Sequence, residues 1–174
     1  SGRLYVADGL NHRILRYDAP LTTDRIADLT LGHATMSDVR QPVVAIDEPA
    51  GVAVGSWYSA VAAVDAATSR VLVYVSLGSY LNVPVGVVGQ PDLSTVGCNT
   101  GGRSASSLCQ PTAAVVDHSG NLWIADTGNH RVLEYPAPWL DYDQPSKRYV
   151  IHGTAARVFG QADFTSAACG AGAA

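Results

Sequence analysis

The chain has 174 residues, 47% of them apolar and 15% charged, which is enough for one sizeable core in a soluble, globular protein. Eleven Lys and Arg stand against fifteen Asp and Glu, a net charge of −4, so the basic field that non-specific phosphate binding needs is missing and nucleic acid is disfavoured as a partner. No apolar run approaches the roughly 18–20 residues that span a bilayer, and the N-terminus lacks the charged-then-apolar layout of a signal peptide; the chain starts at Ser1 without an initiator Met, so its natural N-terminus is expected elsewhere.

In chain order, the first feature is "RLYVADGLNHRILRYDAP" at residues 3–20, followed by the marker "LTLGHAT" around Gly32. A fainter copy, "VDAATSRVLVYV", is followed by "VVGQPDLS" around Gly89. A third copy, "NLWIADTGNHRVLEYPAP" at 121–138, is followed by "VFGQADFT" around Gly160. Asp8, Arg13 and Tyr17 are spaced five and four apart, as are Asp65, Arg70 and Tyr74, and Asp126, Arg131 and Tyr135. The Asp-to-Asp separations are 57 and 61 residues. Tyr-to-marker-Gly distances are 15, 15 and 25, so the third unit carries an insertion of about ten residues within "WLDYDQPSKRYVIHGTA". A repeat of this length is one supersecondary unit.

The unit reads as short strands. "AAVVD", "LWIAD", "RVLEY" and "RVFGQ" are runs of strand length bounded by Gly, Asn, Ser or Pro turns. Four such strands form one antiparallel sheet, which cannot cover both its faces alone, so neighbouring units must stack. Helix-period patterns are absent, and the fold class expected is all-β.

"GNLWIADTGNHRVLEY" and "GRLYVADGLNHRILRY" resemble NHL repeats, the blades of a β-propeller commonly closed with six blades; in the middle copy Thr68 and Ser69 replace the Asn-His pair. The resemblance implies four-stranded antiparallel blades, about three of them here, half of a six-bladed ring. Their parts fall at about 1–48, 49–110 and 111–168, with the start of a further blade at 169–174. It does not imply one function, because propellers of this type bind protein or RNA, and relatives are lyases or lactone hydrolases.

The repeated polar residues Asp8, Arg13, Asp65, Arg70, Asp126 and Arg131 are read as blade architecture: each Asp closes a strand and each Arg opens the next, where carboxylate, turn amides and guanidinium can meet. His12 and His130 occupy equivalent turn positions and are read as turn packing. His33, His118 and His152 have no partner at metal-type spacing, so no metal site is expected within the chain, and no cofactor. Ser104, Ser106 and Ser107 lie in a Gly-rich loop without the strand-elbow context of a nucleophile. Cys98 and Cys109 flank "NTGGRSASSL", whereas the shorter loop before Pro49 has neither, the pattern of a disulfide stapling a loop in an oxidising compartment; two free buried thiols are the alternative. Cys169 lies nine residues after Gly160, as Cys98 does after Gly89, and its expected partner lies beyond Ala174.

Two functional classes follow. The first is a non-catalytic extracellular or cell-surface scaffold that binds protein or another ligand, its open flanks covered by further blades of the same chain or another copy. The second is a propeller enzyme, amidating-lyase-like or lactonase-like, with a metal site completed by other blades; the inner strands "GVAVG" and "AAVVD" supply almost no ligands for it. The expected recognition residues are Trp139, Tyr142, Lys147, Arg148 and Tyr149 of the insertion, with Trp57 and Tyr58 of the second unit, since long loops on a rigid scaffold carry binding and this mixture is enriched at hot spots. Packing between blades is the alternative for these aromatics.

Overall fold

The computed structural model describes residues 2–20, 25–32, 44–55, 59–75, 83–137 and 139–169. The β-branched runs between turn residues become thirteen short strands among these residues, with no α-helix. The first sheet joins β1 (Arg3–Asp8), β2 (Arg13–Asp18) and β3 (Leu29–Leu31) in that order. The second runs β4 (Pro49–Val54), β5 (Val61–Asp65), β6 (Arg70–Tyr74) and β7 (Gly86–Val88). The third runs β8 (Pro111–Val116), β9 (Leu122–Asp126), β10 (Arg131–Tyr135) and β13 (Arg157–Phe159). A separate hairpin, β11 (Leu140–Asp143) with β12 (Arg148–Ile151), is inserted before β13. All pairings are antiparallel, the form that tight turns between consecutive strands allow.

The register repeats from sheet to sheet. Asp8 faces Arg13 across the β1–β2 hairpin, Asp65 faces Arg70 across β5–β6 and Asp126 faces Arg131 across β9–β10. In each, the residue before the Arg is left-handed: His12 at φ 54°, Ser69 at 57° and His130 at 54°. The inner strands of the second and third sheets also share a bulge, between Pro49 and Gly51 and between Pro111 and Ala113. Proline opens both strands, where its missing N–H costs least.

Alternation within the strands sorts side chains into two cores. Ile14 and Leu31 of the first sheet pack with Val61, Ala63, Leu72 and Tyr74 of the second. The opposite face of the second sheet, including Ala62, Val64, Val71, Val73 and Val88, packs with Leu122, Ile124, Leu133 and Tyr135 of the third. The second sheet is therefore sandwiched, and every residue of β5 and β6 is buried. Each fully buried Val or Leu here is worth roughly 1.5–3 kcal/mol, which makes this sheet the stable centre of the stack.

The outer faces of the first and third sheets lack such cover among the described residues. Leu4 and Val6 on β1 are 47% and 37% exposed, and Val115, Val132 and Phe159 on the third sheet are 58%, 37% and 44% exposed.

Candidate recognition surface

The insertion folds as a polar hairpin with an apolar foot. Its strands pair Tyr142 with Tyr149 and Asp143 with Arg148, and the two tyrosine rings meet edge to face at 5.1 Å. The hairpin turn carries Lys147 in the left-handed region at φ 53°. Gln144, Pro145, Ser146, Lys147 and Arg148 are exposed, while Tyr142 is half-buried and Tyr149 and Ile151 rest against the core. Ile151 fills the space that a side chain at Gly86 would need, which seats the hairpin on β7 of the second sheet.

Trp139 takes the packing alternative and not the recognition role. It is 2% exposed, within the core shared by the second and third sheets, and its ring edge lies 3.6 Å from where a side chain on Gly55 would begin. The physical reason is that Trp139 precedes the hairpin at its base, where the chain crosses back over the sheets; burial of its large apolar area anchors the insertion. Lys147 and Arg148 remain as the outward surface, while Tyr142 lies opposite Tyr149 on the half-buried inner face of the hairpin. Trp57 and Tyr58 lie outside the described residues, as does His33.

The repeated acid–base residues converge pairwise inside each unit. Asp126 Oδ1 accepts the Cys109 amide at 2.7 Å, and its Oδ2 accepts Asn129 Nδ2 and Arg131 Nε, each at 2.7 Å. Arg131 uses its remaining nitrogens on the carbonyls of Phe164, Ser104 and Ser107. Asp65 likewise accepts the amides of Asp47 and Glu48 and Arg70 Nε, while Arg70 donates to the carbonyls of Leu93 and Ala45. Asp8 and Arg13 make the pair at 2.8 Å but are part-exposed, and the guanidinium of Arg13, then Asn11, holds the Asp8 carboxyl below its usual range. His12 Nδ1 contacts the Asp47 carbonyl. Among the described residues, no three of His, Cys, Asp and Glu gather where they could share a metal ion.

Two further repeated ties escaped the sequence reading, although "GQ" standing in both later markers was a signal for them. Gln90 Nε2 donates to the carbonyls of Ser69 at 2.9 Å and Gly97 at 2.6 Å. Gln161 Nε2 donates to those of His130 at 2.9 Å and Ala168 at 3.1 Å. The marker glycines all take positive φ, 81° at Gly32, 93° at Gly89 and 85° at Gly160, which L side chains resist.

The aspartates after these markers close the same turn twice. Asp92 accepts the amides and hydroxyls of Ser94 and Thr95, and Asp163 those of Thr165 and Ser166. Both carboxyls are held down at about 2 by these donors, and Asp117, bonded by Trp123 Nε1 and Asn121, is also held at about 2. A folded-state pKa below the ordinary value of about 3.9 gives stability that is present above that value and lost as pH falls toward 2. Melting temperature is therefore expected to drop between about pH 4 and pH 2. Asp92→Asn with Asp163→Asn should flatten that drop in a thermal scan across the same range; an unchanged slope would contradict the assignment.

Cys98 and Cys109 form a disulfide, and Cys169 is free and exposed. The bond links the loop that leaves the second sheet to the segment entering β8, two residues before Pro111. The path is tight: Gly128 N donates to the Cys109 carbonyl, and a side chain on Gly128 would begin 2.7 Å from that oxygen. Alkylation of the unreduced protein should mark one cysteine of three, Cys169. Cys98→Ser with Cys109→Ser should cost about 2–3 kcal/mol in chemical denaturation, the loop-closure entropy of a loop this short. Three alkylated cysteines would contradict the bond.

Compared with known families, residues 108–135 match the NHL repeat, a segment that covers β8, β9 and β10. No curated protein matches the chain.

Proposed function

We propose that this chain, which carries an NHL repeat on an all-β fold of antiparallel propeller-type blades, is a non-catalytic scaffold of the extracellular space or cell surface. It engages a protein partner through the β11–β12 hairpin. The observation that carries this reading is where the polar residues go. Asp65, Arg70, Asp126 and Arg131 are consumed in ties within and between units, with side chains almost fully buried, instead of converging on an open cleft. The hairpin, in contrast, holds Arg148 and Lys147 outward beside the half-buried Tyr142–Tyr149 pair on a base fixed by Trp139, and Tyr and Arg are enriched at protein interfaces. The disulfide supports an oxidising compartment. The NHL repeat accords with a platform for protein interaction.

The test is a panel of immobilised secreted proteins probed with the labelled, oxidised chain. Tyr142→Ala with Arg148→Ala is expected to weaken a selected interaction at least tenfold while leaving the melting temperature within a few degrees. Binding unaffected by both changes would place recognition elsewhere. Stoichiometric metal whose removal abolishes a hydrolytic or lyase activity would overturn the non-catalytic reading.

A further inference from the structure

Lys147 and Arg148 are the one place in the sequence where two basic residues adjoin, and Lys147 is its single lysine. Both are exposed, one in the hairpin turn and the other opening β12. Neither side chain holds an acceptor among the described residues. Apart from Arg25, the other described arginines each hold a carboxylate, amide or backbone oxygen. Asp143, opposite Arg148 in the hairpin, gives a carboxylate oxygen to the Ser146 amide at 3.0 Å instead. The basic pair therefore stands in water with both charges free.

The segment that carries the pair opens easily and is held firmly at both ends. β11 and β12 have four residues each and pair only with each other. A lone two-stranded hairpin is marginally stable, and unpairing this one breaks no ladder of the four-stranded sheets. Once unpaired, its tip is an extended strand, the form in which a peptide enters a protein's cleft by main-chain hydrogen bonds. On the near side Trp139 and Leu140 are 2% and 1% exposed. On the far side Ala155 N donates to the Ala105 carbonyl at 2.9 Å, β13 pairs with β10, and Arg103 donates to the Thr165 carbonyl at 2.8 Å.

We propose that the Arg148–Tyr149 peptide bond is a processing site for an endoprotease specific for paired basic residues, and that the cut leaves a nicked molecule whose two fragments stay assembled. The reaction is hydrolysis. One water is consumed, the bond from the Arg148 carbonyl carbon to the Tyr149 nitrogen breaks, and a carboxylate on Arg148 and an ammonium on Tyr149 result. The Cys98–Cys109 bond lies wholly ahead of the cut, so nothing covalent joins the fragments. The later one is kept by β13 in the third sheet and by Arg131 and Arg103 on the carbonyls of Phe164 and Thr165. The cut also severs the turn that sets Tyr142 against Tyr149. The site needs no partner on the hairpin; that processing would alter recognition rests on the function proposed above.

The test incubates the oxidised full chain with a purified endoprotease specific for Lys-Arg pairs, beside the free peptide of residues 142–152. Mass spectrometry should find one first cut, giving 1–148 and 149–174, at a rate within about a hundredfold of the peptide's, since only the hairpin has to open. The fragments should co-elute in native gel filtration and separate in denaturant without reductant. Lys147→Asn keeps a residue that tolerates the left-handed turn and should slow the cut at least about tenfold. A chain that stays intact while the peptide is consumed, a first cut at another residue, or a Lys147→Asn chain cut as fast as the parent would overturn the site. Fragments that part in native buffer would overturn the nicked assembly. Whether the hairpin binds a partner is decided separately, by the panel of secreted proteins.

Discussion

Asp126→Ala is expected to lower stability by about 3–5 kcal/mol, the cost of stripping one partner from a buried ion pair. The magnitude follows from what remains behind. Arg131 would keep its charge at a site where both side chains of the pair are 0% exposed, and the Cys109 amide and Asn129 Nδ2 would each lose their acceptor. Asp126→Asn should recover little, because three donors converge on two carboxylate oxygens and an amide offers one acceptor and turns its NH2 toward the rest. For a chain of this size the loss amounts to roughly 10 °C in melting temperature. Asp65→Ala should behave alike, since its pair with Arg70 is 6% exposed on one side and 0% on the other. Asp8→Ala should be far milder, because Arg13 is 40% exposed and water takes over the pairing. Thermal melts of the three variants give the comparison. Equal losses at Asp8 and Asp126 would mean that burial does not set the strength of these ties.

Much of this was legible in the residues themselves. The Asp-Arg spacing marked the β1–β2, β5–β6 and β9–β10 hairpins because period-2 alternation and a polar turn force that register. The ten-residue surplus before Gly160 marked the inserted hairpin, and the paired presence of Cys98 and Cys109 marked the staple. What resisted reading was long-range. Trp139 looks like a loop aromatic until the crossing of the chain over Gly55 is known, and no local pattern encodes that crossing. Gln90 and Gln161 bind carbonyls 21 and 31 residues earlier in the chain, at Ser69 and His130; the repeated Gly-Gln of the later markers flagged the residues, but nothing local names their acceptors. Gly128 answers to the Cys109 carbonyl and sulfur, a contact fixed only once the disulfide loop folds against the third sheet, whereas the equivalent residue of the first unit, Leu10, is 96% exposed.

The second large effect concerns the two bare faces. Each should present a few hundred Å² of apolar surface, and at about 25 cal/mol per Å² two such faces left in water forgo on the order of 10 kcal/mol, as much as the whole stability of a typical domain. The isolated chain is therefore expected to self-associate. The contact is head to tail, third-sheet face against first-sheet face, because these are the two partners of the interfaces already formed inside the stack; contacts of that kind build rings or open chains. Lysine at Val132 and Phe159 should suppress association, since charges on that face must stay wet.

Sedimentation velocity of residues 1–174 at micromolar concentration tests the stacked-repeat account most directly. The expected result is a mass above that of the 18.1 kDa chain that rises with concentration and returns to the monomer value in Val132→Lys with Phe159→Lys. A parent chain that stays monomeric and unfolds cooperatively would contradict it.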